Sequence, residues 1–299
     1  MKMISPIMLG MSLALASGPI AAAQDAAAPA LPKIMQITRE YIKAGKAGQL
    51  HDKSESAFVA AMAKAKFPTH YVALNSMSGK SRAIYLTNYP SFEAWGNDNK
   101  SVEKNAALSA ELERATVADG DLLDSIDQAI LVSSEEMSFH PKPGLAAARY
   151  MEISTYHVKP GHTREWREAV KLVKDAYEKA GTSAHWGMFQ LLYGGDGDTY
   201  LVFSSKTSMA ELDTGFADSK KFQEAAGEDG LKKLDELVQA SVESTSHQLF
   251  SVNPKQSYVD EAWIKDDPDF WKPKMKASPE TAAKPAAKPA TAAPKPSSR

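Results

Sequence analysis

The sequence predicts an α+β protein built from two successive β-α-β-β-α-β units, and three observations predict it. The stretch Tyr156-His157-Val158-Lys159-Pro160-Gly161-His162 runs from a strand-like segment into an amphipathic run from Thr163 to Ala180, and a looser version, Tyr41-Ile42-Lys43-Ala44-Gly45-Lys46, occurs earlier in the same setting. Each stretch ends a segment with period-two alternation and precedes two more strand-like segments joined at a glycine turn. The 299 residues, with the apolar and charged fractions of a soluble globular chain, suffice for two domains of ordinary size.

In the first unit, Ile34 to Ile42 puts Met35, Ile37, Arg39 and Tyr41 on one face and Ile34, Gln36, Thr38, Glu40 and Ile42 on the other, so the strand has two different faces. After the Lys43 to Gly48 turn, Leu50, Ala57, Phe58, Ala61, Met62 and Ala65 form a helical stripe that Pro68 closes. Tyr71 to Met77 and Arg82 to Tyr89 are strands around the hairpin Ser78-Gly79-Lys80-Ser81. A mostly helical stretch from Ser91 to about Ser133 and a last strand, Glu136 to Phe139, complete the unit.

The second unit repeats this order. Arg149 to Val158 alternates Met151, Ile153, Thr155 and His157 with Tyr150, Glu152, Ser154, Tyr156 and Val158. Trp166, Val170, Val173 and Tyr177 then mark a helix that stops at Gly181. Strands His185 to Tyr193 and Thr199 to Ser205 flank a glycine-rich hairpin, three short helices span Ser208 to Ser241, and Ser246 to Val252 is the final strand. Local matches support a tandem duplication: Tyr85-Leu86 with Tyr200-Leu201, Ser91 to Trp95 with Ser208 to Leu212, and Ile126 to Ala129 with Leu237 to Ala240.

These readings divide the chain into a signal peptide at 1–23, a first repeat at 24–140, a linker at 141–148, a second repeat at 149–253, a C-terminal extension at 254–271 and an Ala/Pro/Lys-rich tail at 272–299. The signal reading rests on Lys2, the apolar run Ile4 to Ala16 and Ala21-Ala22-Ala23 before Gln24, and implies a periplasmic or secreted protein. The chain has no cysteine, which removes disulfides, thiolate metal ligands and thiol nucleophiles. The tail, too poor in apolar residues to pack a core, is expected to be disordered. It carries a net +6 and Lys2 a further +1, which leaves −9 of the formal −2 on the rest. Such an acidic body is a poor partner for nucleic acid, whereas the basic tail suits an anionic envelope surface.

The β-α-β-β-α-β order is the split βαβ, ferredoxin-like pattern, which covers only one face of its sheet with helices. Two such sheets in one chain can bury their open faces together. With Val158-Lys159-Pro160-Gly161 before an amphipathic helix, the chain resembles the dimeric α/β-barrel superfamily, which includes antibiotic-biosynthesis-monooxygenase-like and NIPSNAP-like proteins, over roughly Ile34 to Val252; the first copy departs from the motif at Ala44. The resemblance implies two fused copies forming the barrel within one chain. It also implies a ligand cavity between each sheet and its helices, in a superfamily that includes cofactor-independent oxygenases and isomerases.

The residues themselves name no catalytic group. Glu152, Tyr156, His157, Trp186 and Gln190, set on the first two strands of the second repeat, are the candidate ligand-binding residues, and His157 is also a candidate general base or haem-iron ligand. Gln36, Thr38 and Glu40 pair by position with Glu152, Ser154 and Tyr156, as polar lining of a wet cavity or of the interior where the sheets meet. The seven histidines show no H-x-x-x-H or H-E-x-x-H spacing, so a local zinc motif is absent; no metal and no cofactor is expected, with a metal assembled across strands as the alternative. A small-molecule ligand is the expected partner.

Overall fold

The computed structural model describes residues 31–142 and 144–272. The signal-peptide reading and the tail beyond Lys272 lie outside the described residues.

The first half runs β1 (Ile34–Ile42), α1 (Gln49–Ala65), β2 (Tyr71–Ser76), β3 (Arg82–Tyr89), α2 (Phe92–Lys104), α3 (Ala106–Gly120) and β4 (Leu123–Phe139). The second runs β5 (Tyr150–Val158), α4 (Thr163–Ala180), β6 (Trp186–Tyr193), β7 (Thr199–Lys206), α5 (Ala210–Ser241) and β8 (Val242–Val252), and short helices α6 (Glu261–Asp266) and α7 (Pro268–Trp271) follow. The eight strands close into one antiparallel barrel in the order β1-β3-β2-β8-β5-β7-β6-β4. Each half therefore contributes four strands in equivalent order, and the seams β2·β8 and β4·β6 join the halves edge to edge. Closure leaves no unpaired edge.

Strand alternation decides what lies inside. Met35 and Ile37 of β1 and Met151 and Ile153 of β5 point inward with Leu74, Ile84, Leu131, Phe189 and Phe250, forming one apolar core shared by both halves. Full burial of such a side chain contributes about 1.5–3 kcal/mol. The polar set Glu40, Glu152 and Tyr156 lies on the opposite face, toward the helices, so the barrel interior is not the wet cavity considered above.

Three sequence expectations are corrected. The helical stretch ends at Gly120 and β4 starts at Leu123, so Ile126 to Ala129 is strand while its supposed match, Leu237 to Ala240, is helix. The Tyr85/Tyr200 match is slipped by two residues: Leu86 pairs with Ile37 and Phe203 pairs with the equivalent Ile153, whereas Leu201 faces Thr155. The first two of the three short helices, Ser208 to Gly215 and Ser219 to Ala226, run as one, and α5 is broken only at Gly227, whose φ of 69° is non-helical, ahead of the third.

The segment after β8 packs onto the barrel. Tyr258 forms a bridge with Tyr71, Val259 and Trp271 join the core, and the Trp271 indole donates to the Ala146 carbonyl at 3.0 Å. Arg149 pairs with Asp267 and stacks over Phe270 at 3.7 Å.

Candidate metal centre

The helix-facing side of β1 carries Glu40 close to the strand's end, and the Gly45 to Gly48 turn sends the chain straight into α1 beside it. His51 and Glu55, one helical turn apart, point back at that carboxylate. Asp119, in the last turn of α3, completes the group from the other side. A carboxylate at a helix C-terminus faces the negative end of the helix dipole. Its position there is accounted for by the cluster, not by helix stability.

The four donor atoms lie within 4.8 Å of one another and all four residues are buried. His51 Nε2 is 3.2 Å from Glu40 Oε2, 3.7 Å from Asp119 Oδ1 and 4.0 Å from Glu55 Oε1. A tetrahedral ion with bonds of about 2.1 Å sets its donors about 3.4 Å apart, so small side-chain shifts suffice to wrap one. Glu55 Oε1 and Asp119 Oδ1 are buried without a hydrogen-bond partner when both carboxylates are ionised, the Tyr71 hydroxyl is buried and unpaired, and the Tyr85 hydroxyl lies beside Glu55. Buried polar atoms are normally satisfied, and here two unmatched acceptors converge on one histidine nitrogen.

Charge points the same way. Burial, and then the Glu40 and Asp119 carboxylates, push the Glu55 carboxyl up to about 9. Burial first, then Glu55 and Glu40, raise the Tyr71 and Tyr85 phenols. Three carboxylates this close cannot all stay ionised unless something positive joins them, and the choices are a proton or a cation.

The outer contacts come from the C-terminal extension. Gln256, fully buried, sets its amide nitrogen 3.0 Å from His51 Nδ1 and 3.1 Å from Asp52 Oδ1. Asp52 also accepts from Asn253 at 2.8 Å and Lys255 at 3.1 Å. With the amide nitrogen facing Nδ1, the neutral ring carries its proton on Nε2, toward Glu40. An ion on Nε2 requires the amide turned over, so that Oε1, now without a partner, accepts from Nδ1–H.

The five residues expected from the sequence lie in the other half and do not form one site. Glu152 is half-exposed and pairs with Lys206 at 3.2 Å. It shares one open recess with Trp186, Ser154 and Tyr177, whereas Tyr156 and Trp186 line a separate slot of about 290 Å³ with Trp166, Tyr177 and Val202. Gln190 pairs with Tyr200 and Val132 farther along β6, and it borders neither. His157 is on the opposite, barrel-facing side of β5, where Nδ1 meets Thr199 Oγ1 at 3.0 Å.

The fold also gathers a set of possible metal ligands that no local spacing announces, because its members come from β1, α1 and α3. His51-x-x-x-Glu55, a histidine and a carboxylate at helical spacing, was the one local signal.

No known protein-family profile matches the chain, and no curated protein matches it. Among solved structures it is similar to a candidate monooxygenase from Fusobacterium nucleatum (11% identity, 74% of this chain and 93% of that one, TM-score 0.49). It is also similar to an anthrone oxidase-like protein (11%, 76% and 94%, TM-score 0.48) and to a variant chlorite dismutase from Candidatus Nitrospira defluvii (9%, 79% and 96%, TM-score 0.47). None of these likenesses supplies a residue or a reaction for this chain. The barrel rests on its own strand pairing.

Proposed function

We propose that this chain is an exported, tandemly duplicated α/β-barrel protein whose first half holds a divalent metal ion between Glu40, His51, Glu55 and Asp119. The observation that carries the reading is the convergence of three buried carboxylates and one imidazole, with their donor atoms within 4.8 Å of one another and two oxygens unpartnered. One nitrogen and several carboxylate oxygens form a borderline-to-hard donor set, which suits Mn²⁺, Fe²⁺ or Zn²⁺ better than a soft ion. Because the ligands join β1, α1 and α3, the ion would pin the helical layer to the barrel. Export rests on residues 1–23, and duplication rests on the repeated element and strand order.

A second reading concerns the other half. The slot of about 290 Å³ between α4, α5 and the sheet is lined by Tyr156, Trp166, Tyr177 and Trp186 and fits a small flat apolar molecule. An oxygenase or isomerase acting on such a molecule is the enzymatic form of this reading.

Metal analysis of protein purified without chelator, followed by titration of the stripped protein with Mn²⁺ and Zn²⁺, tests the first reading. One equivalent is expected, with affinity falling at least about 100-fold in Glu55→Ala and in Asp119→Ala, since each removes a ligand. Stoichiometric binding that survives both substitutions would overturn the site.

A further inference from the structure

The two ends of the barrel are finished differently. Val259, Trp263 and Trp271 pack against the core from the C-terminal segment, whereas the end where β1 finishes and β3 starts is polar. There Arg82, partly buried, lies over the Phe250 ring at 5.3 Å and the Tyr41 ring at 5.6 Å. Phe250 is fully buried, so this guanidinium sits directly on the apolar core.

Arg82 has little to satisfy it. Nη1 donates to the Tyr41 hydroxyl at 3.2 Å, while Nε is buried with no partner. Among the described residues no carboxylate comes within 4.0 Å of it, although Arg39 next to it in the barrel end is paired with Asp127 and Arg149 with Asp267. Aromatic contact offsets part of the desolvation of a guanidinium, but an oxyanion partner offsets much more. The equivalent positions of the second half, His157 and Thr199, bond each other and leave no such gap.

Arg82 opens onto a recess of about 630 Å³ lined by Tyr41, Lys80, Asp124, Ser125 and Gln248. Two cations and one carboxylate give this recess a net single positive charge. Asp124 would repel a dianion, while a monoanion is matched.

We propose that this barrel mouth binds a small organic monocarboxylate, its carboxylate on the Arg82 guanidinium and Lys80 and its apolar body against the Tyr41 ring. The planar fork of arginine fits a carboxylate through two parallel N–H donors, and the aromatic wall favours a flat body. The site is independent of the metal centre, which lies on the other face of β1.

The test is calorimetric titration of the full chain with benzoate, with benzamide as the neutral analogue and inorganic phosphate as the competing anion. Benzoate is expected to bind in preference to both, to weaken at least about tenfold in Arg82→Gln, and to weaken less in Lys80→Gln, which alters only an exposed side chain. A melting curve checks the fold of each variant, and if Arg82→Gln unfolds, Arg82→Lys, which keeps the charge without the fork, takes its place with a smaller loss. Equal benzoate affinity in the Arg82 variant, no benzoate binding at millimolar concentration, or tighter binding of phosphate than of benzoate would overturn the proposal.

Discussion

The two halves share a strand order but fill the layer between sheet and helices with opposite chemistry. At the position of Glu40 the second half has Tyr156, whose ring packs 4.9 Å from Trp166, and Trp166 in turn lies 5.7 Å from Tyr200. Where the first half buries three carboxylates and a histidine, the second buries an aromatic cluster with Val170 and Met188. The same scaffold tolerates both because the barrel core, made by the other face of every strand, is complete without either layer. Each helix–sheet layer can diverge while the core is held constant.

Substitutions in the shared core should therefore hurt both halves together. Phe250→Ala, on β8 of the second half but at the centre of the common cluster, is expected to destabilise the protein by about 3–5 kcal/mol. Chemical denaturation should show one transition for both halves, and two separate transitions would break the comparison.

Next in size is the response of the first layer to pH. In metal-free protein the Glu55 carboxyl is raised from the ordinary 4.5 to about 9. The folded state then binds more protons at this group than the unfolded state between these values, so the contribution of Glu55 to stability is greatest below about 4.5 and falls as pH rises toward 9. The melting temperature of Glu55→Gln, which cannot ionise there, should follow pH less steeply over that window, and parallel profiles would remove the cluster as the cause.

The second layer should answer to aromatic truncation instead. Trp186→Ala, which opens the slot and removes the indole that donates to the Met137 carbonyl at 3.0 Å, is expected to weaken binding of an apolar fluorescent probe about tenfold, or roughly 1.4 kcal/mol. Smallest of all is the effect of His157→Ala on the same probe, expected within about twofold because the ring faces the barrel side of β5. A large loss from His157→Ala would mean that the slot reaches through the sheet.

Much of this could be read along the chain. The alternation in Ile34 to Ile42 and Arg149 to Val158 marks two-faced strands because side chains alternate strictly on a pleated backbone. The stop at Gly181 follows from its left-handed conformation, φ 59°. β4 was the poorest reading. The mostly helical reading from Ser91 to about Ser133 covers the first part of this strand, whose apolar residues lack a clean period of two and which is stabilised by pairing with β1 and β6 on either side.

By itself the sequence determined the α+β class, the repeated element order and the identity of the faces, since these follow from local periodicity and turn chemistry. Only tertiary structure decided which face closed into the barrel, and that Glu40, His51, Glu55 and Asp119 meet while His157 and Tyr156 part company. Contacts between residues 79 positions apart depend on how helices cross a curved sheet, and no local spacing encodes that angle. Neighbours such as Tyr156 and His157 are separated by the opposite rule: consecutive residues of a strand face opposite sides, here one toward α4 and one toward the barrel.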